Sequence, residues 1–96
     1  GFDTFCPLGP YIQTDFSSNP ELSVKAYVNG ELKQDGNTRD MIFSIGEILE
    51  FITSIMTLLP GDVILTGTPE GVSKIVPGDE IKIEIETLGS LINLVE

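Results

Sequence analysis

Residues 61–71 read Gly-Asp-Val-Ile-Leu-Thr-Gly-Thr-Pro-Glu-Gly, and the polar half of this run carries groups suited to holding an oxygen-bearing ligand. Thr66 and Thr68 bring hydroxyls, which both donate and accept hydrogen bonds. Gly67 and Gly71 permit backbone angles that other residues resist, and they let a ligand come close to the main chain. The preceding Val63-Ile64-Leu65 has the branched, apolar character of a buried strand. The expectation is a strand over residues 63–66 that delivers hydroxyls and amides to its own end, a common way to hold a carboxylate. A plain strand-to-turn junction has the same composition.

Other residues could carry chemistry, each with a plainer alternative. In Glu84-Ile85-Glu86, residues two apart on a strand project to one face, so both carboxylates could reach one divalent cation. Lys82 shares that face and no third ligand is near, so the expectation is a solvated strand face. Arg39 is the sole arginine, and a guanidinium fits a carboxylate. The surrounding Asn37, Thr38 and Asp40 equally suit a helix-entry loop whose side chains bond to backbone amides. Cys6 could be a nucleophile, but the chain has no His to serve as its base. Flanked by Phe5 and Pro7, Cys6 is expected to be a buried packing residue.

The elements that must position these groups are well marked. Leu22, Val24, Ala26 and Val28 alternate with Ser23, Lys25 and Tyr27, and Asn29-Gly30 supplies the positive φ angles of a type I′ turn. A return strand over residues 31–34 follows. Ser44 and Glu47 form a capping box, and Ile45, Ile48, Leu49, Ile52, Ile55 and Met56 recur at helical spacing. This helix should stop near Thr57, ahead of a type II turn at Pro60-Gly61. Pro77-Gly78 marks another turn. Residues 80–87 alternate Ile81, Ile83 and Ile85 with Lys82, Glu84 and Glu86, as a half-buried strand does. Leu88-Gly89-Ser90 turns into a last strand over residues 91–95. The first twenty residues have loop chemistry, with a short strand expected over 11–14. The fold class expected is α+β: a β-rich domain with one main packed helix.

Composition narrows the functions. Ninety-six residues suit a single domain or one piece of a larger one, and a chain of this size buries only a modest core. The first residue is Gly1 rather than Met, which suggests an excised or partial chain. Fifteen acidic against five basic residues give a net charge of −10. Such a surface repels phosphate backbones and anionic membranes, so neither nucleic acid nor membrane is expected as a partner. No apolar run approaches membrane-spanning length. One cysteine and no signal-peptide pattern fit a reducing, cytoplasmic setting.

Three motifs in order, GFDTFCPLGP, VNGELKQDGNTRDMIF and LLPGDVILTGTPEGV, resemble the C-terminal part of the fumarylacetoacetate hydrolase family over nearly the whole chain. The compact first and third motifs look most like its bacterial and archaeal isomerase, decarboxylase and acylpyruvase branch. The resemblance implies a mixed β-roll, with residues 1–96 forming the C-terminal part of a larger catalytic domain. It implies a metal-dependent enzyme, using Mg2+ or Mn2+, that acts on 2-oxo or 1,3-diketo acids by carbon–carbon hydrolysis, decarboxylation or enol isomerisation. The resemblance, with the strongly apolar helix and strands, also implies a homodimer for the whole protein. Thr68 matches the threonine of the family's Gly-Thr loop that contacts substrate. Thr4 matches a threonine beside the metal, although the lysine that commonly precedes the equivalent of Gly1 is missing. The family's Glu-x-Glu and Asp metal ligands, and its proton-transfer His-Glu pair, belong to motifs that precede this stretch. No metal ligand and no catalytic residue is therefore expected in this chain, which alone should be inactive. The competing reading is a non-catalytic β-domain that serves as a scaffold or oligomerisation module.

Overall fold

The computed structural model describes residues 5–10, 12–15 and 20–96. In chain order these form β1 (Ser23–Val28), β2 (Glu31–Asn37), a single 3-10 turn (Thr38–Asp40), α1 (Ile45–Ile55), β3 (Glu80–Ile85) and β4 (Gly89–Leu94). The four strands make one sheet in the order β2-β1-β3-β4, with every neighbouring pair antiparallel.

Local chemistry explains most of these elements. Asn29 and Gly30, at φ 52° and 80°, turn β1 into β2 as a type I′ hairpin requires. The Asn29 side chain then ties the hairpin to β3, accepting from the Glu80 amide and donating to Asp79 Oδ1, each at 2.9 Å. In α1 the Ser44 side chain accepts from the Glu47 amide while the Glu47 carboxylate accepts from the Ser44 amide, a complete capping box. Two turns of the same design flank the central segment. Asp62 N donates to Leu59 O, and Asp79 N to Val76 O. Each aspartate carboxylate in turn accepts the amide of the first turn residue. Gly61 and Gly78 supply the positive φ.

Register assigns the faces. Val24, Ala26 and Val28 stand opposite Ile85, Ile83 and Ile81, so β1 and β3 share one apolar face. Ala26, at the centre, is the buried hydrophobic residue of this sheet. Along α1, Ile45, Ile48 and Ile52 form a half-buried stripe, while Leu49, Phe51 and Ile55 are exposed. The radius of gyration is 14.7 Å, against about 13 Å for a compact chain of roughly 100 residues. Much apolar surface therefore faces outward.

Three sequence expectations are corrected. Residues 63–66 form no strand. Their amides find no acceptor among the described residues, and Val63 and Leu65 are 61% and 82% exposed. Apolar, branched residues permit a strand, but a ladder also needs a neighbour. Residues 12–14 form no strand either, and Tyr11 lies outside the described residues. Cys6 is exposed, as are Phe5 and Leu8 around it, so it is not a packed core residue.

Candidate functional site

The 66–71 loop is seated on β2, at an irregularity in the hairpin. Ala26 faces Gln34, but the next β1 residue, Tyr27, faces Leu32. Lys33 is thus the extra residue of a β-bulge, a feature that bends a strand and re-aims its side chains. Three contacts bind the loop here. Gly71 lies so close over Lys33 that a Cβ added to it would sit 2.1 Å from the Lys33 carbonyl oxygen. Pro69 packs against Gly36, where an added Cβ would stand 3.2 Å from the ring. Between them, Gln34 Nε2 donates to Thr68 Oγ1 and to Pro69 O, both at 2.8 Å.

This arrangement sets the chemistry of Thr68. A hydroxyl has one proton and two lone pairs. With one lone pair taken by Gln34, the proton is left to donate outward, and no acceptor among the described residues takes it. Thr68 is exposed, and the backbone amides of residues 63–68 and 70–74 likewise lack acceptors among the described residues. The loop thus presents a hydroxyl donor beside a series of amide donors. Gly67 and Gly71, both at φ 103°, hold the backbone in a region that side-chain-bearing residues rarely enter. Gln34 lies within the second motif, but no role was read from it there. The available hint was Gly36 two residues on, since a glycine inside a strand often marks close approach of another backbone.

The remaining candidates are not brought to Thr68. Thr4 lies outside the described residues. Asn37 Oδ1 accepts the Arg39 amide at 3.0 Å, while Thr38 Oγ1 accepts from Leu22 N and donates to Pro20 O. Those bonds fix the chain's entry into β1 and its exit from β2. Arg39 pairs loosely with Asp40 at 3.9 Å, and both are exposed. Glu84 lies 3.9 Å from Lys82, and Glu86 Oε1 accepts the Ser23 amide at 3.1 Å. Glu86 thus ties the end of β3 to the start of β1, while Glu84 lies along the strand face beside Lys82. Among the described residues no group of three or more His, Cys, Asp or Glu is placed to hold a metal. A shallow depression of about 430 Å³ lies along Leu32, Lys33, Asp35, Glu70 and Gly71. Lys33 there is already paired with Glu31 at 3.2 Å, so the two carboxylates dominate and an anion is not favoured in it.

The family profile described as Fumarylacetoacetate (FAA) hydrolase C-terminal matches residues 1–96, the whole chain. The chain belongs to the fumarylacetoacetate hydrolase family. It is 47% identical over 93 residues to the 4-hydroxyphenylacetate degradation bifunctional isomerase/decarboxylase of Salmonella dublin, covering 95% of this chain and 22% of that protein. Among solved structures it matches 2-hydroxyhepta-2,4-diene-1,7-dioate isomerase from Mycobacterium marinum at 52% identity and a TM-score of 0.91, over 99% of this chain and 37% of that one. Maleylpyruvate hydrolase from Sphingobium sp. SYK-6, in complex with manganese(II) and pyruvate, matches at 44% identity and a TM-score of 0.90, over 98% of this chain and 36% of that one. The chain thus spans about two-fifths or less of the relatives it matches. The α+β fold expected from sequence is the fold of these fumarylacetoacetate hydrolase relatives. Isomerase, decarboxylase and hydrolase activities are all found among them.

Proposed function

We propose that this chain forms the substrate-side part of a metal-dependent enzyme acting on 2-oxo or 1,3-diketo acids. The reaction class is carbon–carbon hydrolysis, decarboxylation or enol isomerisation. The observation that carries the reading is the Thr68 hydroxyl, whose acceptor side is held by Gln34 and whose proton is left to donate among amides without acceptors. Such a group suits the carboxylate or ketone oxygen of an oxo-acid. The manganese and pyruvate found with the Sphingobium hydrolase support a divalent cation and an oxo-acid as the two components of the site.

The residues described here do not fit a metal, because no three ligands converge among them. The cation's ligands are therefore proposed to come from outside the described residues, and no chemical step is assigned to this chain. Its own residues bind and orient: Thr68 donates to a substrate oxygen, and the loop amides stand ready for a second. No described helix is long and apolar enough to cross a membrane. A cytoplasmic setting is proposed from the cysteine usage.

Thr68→Val in the whole protein tests the reading, because it keeps the side chain's shape and removes its hydrogen bond. A bond to a charged group is typically worth about 1.5–3 kcal/mol, so catalytic efficiency should fall roughly ten- to a hundredfold, with metal affinity unchanged. Thr66→Val is the matched control. Loss in the control with full activity in Thr68→Val would assign the wrong hydroxyl, and full activity in both would remove the loop from the substrate site.

A scaffolding role is the second reading. It is favoured by the exposed apolar surface, which includes Ile42 at 92% and Leu65 at 82% exposure. Full activity of the whole protein after loss of both loop hydroxyls would favour it.

A further inference from the structure

We propose that Gln34 is a positioning residue of the candidate site: it holds the Thr68 hydroxyl as a donor and thereby restricts the loop to ligands that present an oxygen acceptor. This rests on the reading of Thr68 as a substrate contact.

The geometry is specific. A carboxamide nitrogen has two protons, and Gln34 places one on Thr68 Oγ1 and one on Pro69 O, both at 2.8 Å. Two consecutive loop residues are thus bound by one side chain. The loop's own amides make no bond that could do this among the described residues. The backbone that carries this side chain is fixed in the sheet. Gln34 is half-buried on β2, stands opposite Ala26, the most buried residue of the sheet, and adjoins the bulge at Lys33. Its direction is therefore set by the sheet.

The polarity of this contact has a chemical consequence. A hydroxyl that accepts from Gln34 turns its proton away from Gln34. A side chain that could only accept would draw that proton back and leave a lone pair facing the ligand. The loop would then repel an oxo-acid oxygen instead of binding it. Gln34→Glu makes this change with almost no change of shape. It removes both protons, sets an oxygen against Pro69 O, and offers Thr68 an acceptor inside the protein.

The test uses the whole protein with Mn2+, and pyruvate as the titrated probe. Pyruvate affinity is compared for wild type, Thr68→Val, Gln34→Glu, Gln34→Met and the double variant Thr68→Val/Gln34→Glu, with Mn2+ affinity and melting temperature measured alongside. Gln34→Glu should weaken pyruvate roughly ten- to a hundredfold, as Thr68→Val does. Gln34→Met, which removes the bonds without supplying a competing acceptor, should weaken it less. Mn2+ affinity should hold in all variants. The double variant should bind no worse than Thr68→Val alone, because Gln34 acts through that hydroxyl. A merely structural role predicts equal losses for the Glu and Met variants and a further loss in the double variant, and either result overturns the proposal. Normal pyruvate binding by Gln34→Glu while Thr68→Val is impaired also overturns it, leaving the Thr68 reading intact. Normal binding by both removes the loop from the site and the proposal with it. Should Gln34→Glu fail to fold, Thr68→Val/Gln34→Met carries the same additivity test.

Discussion

Gly67 and Gly71 share one backbone angle, φ 103°, and differ in what surrounds them, so they form a controlled pair. A Cβ at Gly67 meets nothing within 4 Å. A Cβ at Gly71 falls 2.1 Å from the Lys33 carbonyl oxygen, 3.1 Å from its carbon and 3.2 Å from Gln34 Cγ. Alanine at either site carries the cost of a left-handed angle, about 1–2 kcal/mol. Only Gly71→Ala also collides with the sheet, and the first atom it meets is backbone, which cannot rotate aside. Relief needs the contact to open from 2.1 Å to at least 3.4 Å, which draws the loop off the bulge and strains the 2.8 Å bonds from Gln34. Forced overpacking typically costs about 1–3 kcal/mol more. Thermal unfolding of the whole protein reads this directly, at about 2–4 °C per kcal/mol for chains of roughly 150–250 residues. Gly71→Ala should melt below Gly67→Ala by at least that increment. It should also lose pyruvate affinity in the presence of Mn2+, since a shift of about 1 Å can cost a site roughly a hundredfold. Equal melting temperatures and unimpaired pyruvate binding would show that the loop is not seated on β2, and would remove the structural basis given for the site.

Asp79 provides a pH-dependent prediction. Its carboxylate accepts the Val76 amide first and then the Asn29 side chain, and both bonds hold its pKa below the usual 3.8. The folded-state value lies below the unfolded one, so the stabilisation is present above the unfolded value and is lost as pH falls through the folded one. The melting temperatures of wild type and Asp79→Asn should therefore converge as pH drops below about 4 and separate above it; a gap independent of pH would contradict this. The whole protein is also proposed to be a homodimer, on the family resemblance and the outward apolar surface, and light scattering that shows a monomer at micromolar concentration would overturn that.

What the sequence disclosed and what it withheld divide along a physical line. Asn29-Gly30, the Ser44–Glu47 box and the Ile81, Ile83, Ile85 alternation were legible because each depends on residues a few positions apart. The extent of β2 was not, since it runs to Asn37 rather than ending at Gln34. Its last residues, Asp35, Gly36 and Asn37, look like turn residues, yet they pair with Lys25, Val24 and Ser23. The partner strand settles their state. The same reasoning runs the other way at Val63-Ile64-Leu65, where strand-forming residues have no ladder among the described residues.

The candidate site lies on the long-range side of that line. The glycine-punctuated run offered Thr66 and Thr68 alike and the family resemblance pointed to Thr68, but the direction and polarity of its hydroxyl come from Gln34, 34 residues earlier in the chain. No spacing rule connects the two positions. They meet because the bulge at Lys33 re-aims β2 and because Gly36 and Gly71 are small enough to let Pro69 and the Lys33 carbonyl approach. Either glycine alone reads as a turn residue or a weakness in a strand. Together they are two halves of one contact, and that contact turns an exposed threonine into a hydroxyl aimed as a donor.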